Sequence, residues 1–592
     1  MISQLSWKVG GQQGEGIEST GEIFSTAMNR MGYYLYGYRH FSSRIKGGHT
    51  NNKIRVSTKP MRAVSDVLDI LVAFDQETID LNAHELREGG IIIADAKFNP
   101  TLPEGLKPVR LFVVPLTQIA DELGTSLMKN MVSIGATSAI LGIPVENFRN
   151  IVEDMFLRKG EKVVEKNMEA ISRGAEFVAG LTGGQLPEFQ LEKADGKKRL
   201  FMIGNDAIGL GCLAAGVRFM PAYPITPASE IMEYLIKKLP KFGGTVIQTE
   251  DELAAITMAI GASYGGIRTL TASAGPGLSL MMEAIGLAGM TETPVVIVDT
   301  QRGGPSTGLP TKIEQSDINA MIHGTHGEIP KVVMAPSTVE ECFYDTVEAF
   351  NIAEEYQVPV IMLTDIALSL GKQTVEPLDF SRVEIRRGKL LAGQELPEIG
   401  PDEQFKRYEL TEDGISPRPI PGQKYGLHHV TGVEHSEIGR PNEGPKNHVD
   451  QMNKRLRKLD NLVKKFPNPV VMNAPHQNPD VLVLGINSTG GTIEEARERL
   501  EAEGISVNHG QIRLLHPFPT EVIKPLVESA KQVIVVEHNA TAQIANLLKL
   551  HVGNADKIES VLKYDGNPFL PSDVYNGIKG LIKHGDVQRV SQ

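Results

Sequence analysis

Four short stretches in the middle of the chain carry residue types that could do chemistry. In Tyr223-Pro224-Ile225-Thr226-Pro227-Ala228-Ser229, two prolines fix a loop around the Thr226 hydroxyl, and an amphipathic helix is expected from Ala228 or Ser229. A rigid loop that ends a strand and opens a helix is where α/β folds gather ligands. The same residues also read as a plain helix entry with a serine cap. Glu250, Asp251 and Glu252 open a helix of small residues, where the helix dipole alone would favour acids. Ser273 to Gly277 form a glycine turn before an apolar helix, in which Met281 and Met282 read as core. After the apolar run TPVVIVDTQ comes Arg302, followed by Gly303 and Gly304. A guanidinium at a strand's carboxyl end matches a small carboxylate bidentately, which a lysine does less well.

These stretches recur as strand, loop, helix, so the elements that must position them are those of an α/β fold. The 592 residues suit three or four domains, and 59 glycines with 41% hydrophobic residues suit many tight strand–helix turns. We read α/β domains with mainly parallel sheets at residues 1–190, 198–385 and 476–592, with a long connecting segment at 386–475. That segment is rich in Pro, Gly, His and charge, and HVDQMNKRLRKLDNLVKKF within it reads as a helix. A structureless linker of that length is uncommon, so it is expected to pack on the domains or cover a site. Its His428, His429, Glu434 and His435 read either as site residues or, more commonly, as exposed loop residues.

The net charge of -12 argues against nucleic acid or an anionic membrane as the main partner. No apolar run reaches membrane-spanning length, and the opening residues lack the features of a signal peptide, so a cytoplasmic protein is expected. Cys212 and Cys342 stand far apart and read as small core residues; two thiols cannot hold an iron–sulfur cluster.

Near the start, Gly11, Gly14 and Gly16 form a strand–turn–helix glycine loop able to take a phosphate or carboxylate. The spacing is not that of a dinucleotide site, and no P-loop motif occurs. Arg39, His40, Arg44 and Lys46 precede Gly47 and Gly48, a basic segment that either meets an anion or is a solvated loop.

Taken in order, YPITPAS, EDELAAITMAIGAS, TASAGPGLSLMMEAIG and VIVDTQRGGPSTGLPT resemble the thiamine pyrimidine-binding domain of 2-oxoacid:ferredoxin oxidoreductases. The block from Gly10 and the RIKGGH segment resemble that family's gamma domain, and NSTGGTIEEARERL, LLHPFP and EHNATAQIANLL its transketolase-C-like domain. A gamma domain fused ahead of the alpha domain resembles the alpha subunit of two-subunit members of the KorA type. The resemblance implies that Glu252 bonds the aminopyrimidine of thiamine diphosphate and that Thr226 lies near the reactive carbon. It implies that Arg302 clamps the 2-oxoacid carboxylate, while Tyr223, Pro224, Ile225, Gly275, Pro276 and Gly277 contact the cofactor. The family reaction is decarboxylation, two one-electron steps to a cluster and acyl transfer to coenzyme A. Arg44, Lys46, Gly47 and Gly48 are candidates for coenzyme A or for the second carboxylate of a substrate such as 2-oxoglutarate.

No GDG motif is present to hold the diphosphate through Mg²⁺. The resemblance therefore implies a separate beta subunit carrying Mg²⁺ and the [4Fe-4S] cluster and passing electrons to ferredoxin or a similar acceptor. It also implies a heterodimer that is able to pair again. Rival readings are a non-redox thiamine-dependent lyase or transferase subunit, a flavin- or nucleotide-binding electron-transfer subunit, and a pyruvate- or indolepyruvate-specific member of the same family.

Overall fold

Apolar strand runs broken by glycine turns build two units. In the computed structural model, which describes residues 1–41, 47–183, 186–400, 403–584 and 588–589, the first unit is Met1–Met202 with Gly371–Pro377 and Leu570–Ser572. The second comprises Ile203–Leu370, Leu378–Phe569 and Asp573–Gln592.

The first unit contains β1 (Gln4–Gln12), β2 (Tyr34–His40), β3 (His49–Ser57), β4 (Leu68–Ala73), β5 (Leu86–Asp95), β6 (Arg110–Val114) and β7 (Leu200–Met202). With the later strand Gln373–Val375 they form one sheet in the order β6-β5-β4-β1-β3-β2-(Gln373–Val375)-β7. It is parallel from β6 to β1. Beyond β1 it is antiparallel, because β2 and β3 follow each other through a short connection that can only form a hairpin. Helix α1 (Ile17–Arg30) packs Phe24 on Trp7 of β1, ring centroids 4.4 Å apart, both wholly buried.

The second unit holds β8 (Phe219–Ala222), β9 (Thr245–Gln248), β10 (Leu270–Ser273), β11 (Val295–Gln301), β12 (Val332–Met334) and β13 (Pro359–Asp365). Strands β10, β11, β13 and β12 pair in parallel. Strands β8 and β9 pair in parallel too, and a parallel bridge from Phe219 to Thr269 links β8 to the start of β10. All seven residues of β11 are buried, as expected of a strand covered on both faces. Each fully buried Val or Ile there contributes about 1.5–3 kcal/mol. A strand from far along the chain, Leu514–His516, adds antiparallel to β12. The C-terminal sheet consists mainly of parallel strands, among them Val481–Gly485, Val507–Ile512, Gln532–Glu537 and Ile558–Leu562. Cys212 and Cys342 are free and buried.

Helices α2 (Ser229–Lys238), α3 (Glu252–Tyr264), α4 (Gly275–Met290), α5 (Ile318–His323), α6 (Val339–Tyr356) and α7 (Pro445–Lys465) complete the frame of the site. Met281 is core, and Met282 packs at its margin. The 386–475 segment packs against the far ends of the site helices. Arg418 donates to Ser263 O at 2.9 Å, and His428 meets the Tyr264 hydroxyl at 3.2 Å, both at the C-terminal end of α3. Arg407 donates to Glu292 O at 2.7 Å, just past α4. Thirteen residues of α3 put that end about 18 Å from Glu252, so these contacts brace the site from behind. Of these four loop residues His429 is exposed, as the sequence favoured, whereas His428 and Glu434 are half-buried. His435 is wholly buried beside Tyr408, and Glu434 accepts a bidentate pair from Arg455 at 3.0 and 2.6 Å.

Candidate active site

Four neighbouring parallel strands, β9, β8, β10 and β11, end on one side of the sheet, and each delivers one of the four sequence stretches there. This is the carboxyl-end crevice where open α/β sheets bind ligands.

From β9 the chain enters the three acids, which take three different roles. Glu250 is exposed. Asp251 caps α3, its carboxylate accepting the Ala254 N–H at 2.8 Å. Glu252 turns inward and is only 6% exposed. Ser273, the last residue of β10, donates its hydroxyl to Glu252 Oε1 at 3.5 Å. The glycine turn makes this approach possible: a Cβ on Gly277 would stand 2.6 Å from Glu252 Oε1 and 2.0 Å from Ser273 Oγ. Glu252 Oε2 takes no hydrogen bond among the described residues.

From β8 the chain enters the proline loop, with Tyr223 exposed and Thr226 half-buried. The Thr226–Pro227 peptide is cis. Buried Asn205 donates to Pro227 O at 2.6 Å, and the Ala228 and Ser229 N–H groups both bond Ile225 O. Helix α2 begins at Ser229 as expected, but Ser229 is not its cap. Ala228 occupies that position and has no side-chain bond to give. The loop is held by its own backbone and by Asn205.

Arg302 follows β11 directly, is 6% exposed, and donates Nη1 to Thr226 O at 2.6 Å. A second donor reaches Thr307 O at 3.5 Å, while Nε is buried without a partner. Burial lowers the guanidinium pKa, and the charge of Asp317 opposes that shift. The structure thus joins Thr226 to Arg302, and Glu252 to Gly277, through residues some 20 to 80 positions apart in sequence.

Sequence reasoning overlooked the buried carboxyls beside this group. Asp299 lies opposite Ser273 in the β10–β11 register, wholly buried with both oxygens unbonded. Burial, reinforced by Asp317, raises its pKa well above the usual carboxylate range. Asp317, before α5, is raised to about 6 by burial and by Glu314, with Arg302 pulling it back. The only sequence signal was an aspartate ahead of a short helix, which reads as a cap.

In the first unit, Gly16 at φ 85 caps α1 without a side chain, and Gly48 O accepts the Gln13 N–H at 3.1 Å. The glycine loop and the Gly47–Gly48 pair are therefore adjacent. Gln13, Gly14, Gly16, Arg39 and Asn52 help line a cavity of about 280 Å³ there, with Arg39 paired to Glu18 at 2.8 Å. Arg44 and Lys46 lie outside the described residues.

Residues 210–454 match the family described as pyruvate flavodoxin/ferredoxin oxidoreductase, thiamine diphosphate-binding. Residues 6–177 match pyruvate ferredoxin/flavodoxin oxidoreductase, and residues 479–574 match pyruvate:ferredoxin oxidoreductase core domain II. A 2-oxoacid:ferredoxin oxidoreductase subunit alpha from a Sulfolobus species is 34% identical, with 98% of each chain covered. This chain is an alpha subunit of the 2-oxoacid:ferredoxin oxidoreductase family. The 2-oxoglutarate synthase subunit KorA of Methanothermobacter marburgensis is 36% identical over 64% of this alpha subunit and 98% of its own length. A solved 2-oxoglutarate:ferredoxin oxidoreductase from Magnetococcus marinus, with 2-oxoglutarate, coenzyme A and succinyl-CoA bound, superposes with a TM-score of 0.91. It is 37% identical to this alpha subunit, covering 98% of it and 100% of the solved chain.

Proposed function

We propose that this chain supplies the pyrimidine side and the substrate clamp of a 2-oxoglutarate:ferredoxin oxidoreductase, and that a beta subunit supplies the diphosphate, Mg²⁺ and [4Fe-4S] sites. The observation that carries this reading is Glu252, a buried carboxyl with an unbonded oxygen beside the space left by Gly277. That donor set fits the aminopyrimidine of thiamine diphosphate, a flat ring with donors and acceptors on its edge. Tyr223, Pro224, Ile225 and the Gly275-Pro276-Gly277 turn would line the same space. Bound thiamine diphosphate supplies the electron sink for decarboxylation of a 2-oxoacid.

The chain's own residues then act as follows. Glu252 bonds the ring edge and moves a proton to and from it, with Ser273 fixing its orientation. Arg302 turns guanidinium N–H groups from the Thr226 carbonyl to the substrate carboxylate. The proline loop keeps Thr226 at the reacting end. Arg44 and Lys46, with Gly47 and Gly48, would take the second carboxylate of 2-oxoglutarate or the phosphates of coenzyme A. The ligands named for the Magnetococcus marinus enzyme support this choice.

Purified alone with thiamine diphosphate, Mg²⁺, 2-oxoglutarate, coenzyme A and an electron acceptor, the chain should show no turnover. Addition of the subunit that copurifies with it should restore activity. Appreciable turnover by the isolated chain would refute the shared site. Replacing Arg44 and Lys46 by Ala should raise KM for 2-oxoglutarate far more than for pyruvate. Equal effects would remove both residues from substrate selection.

A further inference from the structure

Asp317 forms no ion pair with Arg302 but is anchored one residue away from it and lies within reach of its charge. Its backbone N–H is held by Gln301 Oε1 at 3.2 Å, on the residue just before Arg302. Its carboxyl lies against Gly275, where a Cβ would come within 2.7 Å of both oxygens. A negative charge is thereby placed at the N-terminal end of the 16-residue helix α4, whose cap residue Ala274 offers no side-chain bond. Asp317 Oδ2 is buried and accepts nothing, and Arg302 Nε is equally buried and donates to nothing. Each nevertheless acts on the other's charge: Asp317 favours the guanidinium, and Arg302 favours the carboxylate. The other charged groups around Asp317 are the carboxyls of Asp299 and Glu314.

We propose that Asp317 is the resident counter-charge of Arg302, a specificity-determining residue that an incoming 2-oxoacid carboxylate must outcompete. This rests on the reading of Arg302 as the carboxylate clamp. A competing charge has a physical use in this reaction. Once the substrate carboxylate has left as neutral CO₂, Arg302 would be a buried cation bonded to carbonyls but without a counter-charge, which is costly. Asp317 compensates it, holds the guanidinium on the proline loop, and disfavours anions that do not fill the rest of the pocket.

The consequence is a pH-dependent affinity. Asp317 loses its charge as pH falls through about 6, whereas the substrate carboxylate stays ionised. In the complete enzyme with its partner subunit, KM for the 2-oxoacid is measured from pH 5.5 to pH 8. Wild-type KM should rise across this range as the counter-charge forms. Asp317→Asn should flatten that rise and give a KM about fivefold lower at pH 8, the size of a partly solvated ion pair. Asp317→Glu, which keeps the charge, should restore the wild-type slope. An Asp317→Asn enzyme with the wild-type slope, or with a higher KM at pH 8, would overturn the proposal. So would a wild-type KM that is flat with pH, a measurement that needs no variant to fold. Arg302→Gln separates the two readings. A KM left unchanged by Arg302→Gln would overturn the clamp itself. A raised KM in Arg302→Gln, with wild-type slope in Asp317→Asn, would overturn the counter-charge alone.

Discussion

At Glu252 the carboxyl lies inward because Gly277 has no side chain and Ser273 offers a hydroxyl. That arrangement makes two residues separately testable. Glu252→Gln keeps the shape but removes the titrating group, so kcat of the complete enzyme should fall about 10²–10⁴-fold with little change in KM. Gly277→Ala would push Ser273 and Glu252 apart, and a displacement of this size costs about 10²-fold in rate. A Gly277→Ala enzyme with wild-type kcat would show that the close approach is not needed. The four sequence stretches were legible because each is a rigid or charged run at the end of an apolar strand. Their pairings were not. Arg302 meets the Thr226 carbonyl, not its hydroxyl, and Ala228, not Ser229, holds the cap position of α2. Asp317 was invisible because what marks it is Gly275, forty-two positions away and known to touch it only once the chain is folded.

Helix α7 shows where reading elements from sequence fell short. The sequence reads as a helix without saying which face is covered, and Lys454, Arg455 and Lys458 are buried. Glu292, itself wholly buried at φ 50, accepts from Lys454 at 2.5 Å and from Lys458. The helix was legible from its periodicity, but its buried face was not, because the compensating acid lies over 160 positions away. Glu292→Gln leaves two lysines buried without their acid and should cost about 3–5 kcal/mol of stability in denaturant unfolding. A loss below about 1 kcal/mol would mean that water already solvates the cluster. The strand Leu514–His516 gives a pH test. Burial, with repulsion from Lys331, His323 and His551, pushes His516 from 6.5 down to about 4. Between those values the unfolded chain binds a proton that the folded chain refuses, so stability is full above about pH 6.5 and falls toward pH 4. The loss is about 2 kcal/mol at pH 5 and about 3 kcal/mol by pH 4. Tm should therefore drop between pH 7.5 and pH 5, and less so in His516→Asn; an equal drop in both would assign the effect to other groups.

For the whole molecule, the question is why an active-site crevice should be rimmed with apolar side chains. Leu253, in the first turn of α3, and Leu280, in the second turn of α4, are 47% and 50% exposed, and Tyr223 and Leu309 are also open. They lie on the site's own helices and loops, as do Glu252 and Arg302, the groups that a half-site would present to its complement. Scattered exposed leucines need no explanation, but apolar residues on each of the site's elements fit an interface core. No helix among the described residues is long and apolar enough to cross a membrane. If a beta subunit covers this face, replacing Leu253 and Leu280 by Asp puts two charges into a desolvated contact. Copurification of the partner should be lost, and with it the 2-oxoacid-dependent reduction of the acceptor. The isolated chain should keep its Tm within a few degrees, since neither side chain is part of the core. Retained copurification with full activity would place the partner on another face and leave the proposed shared site without its second half.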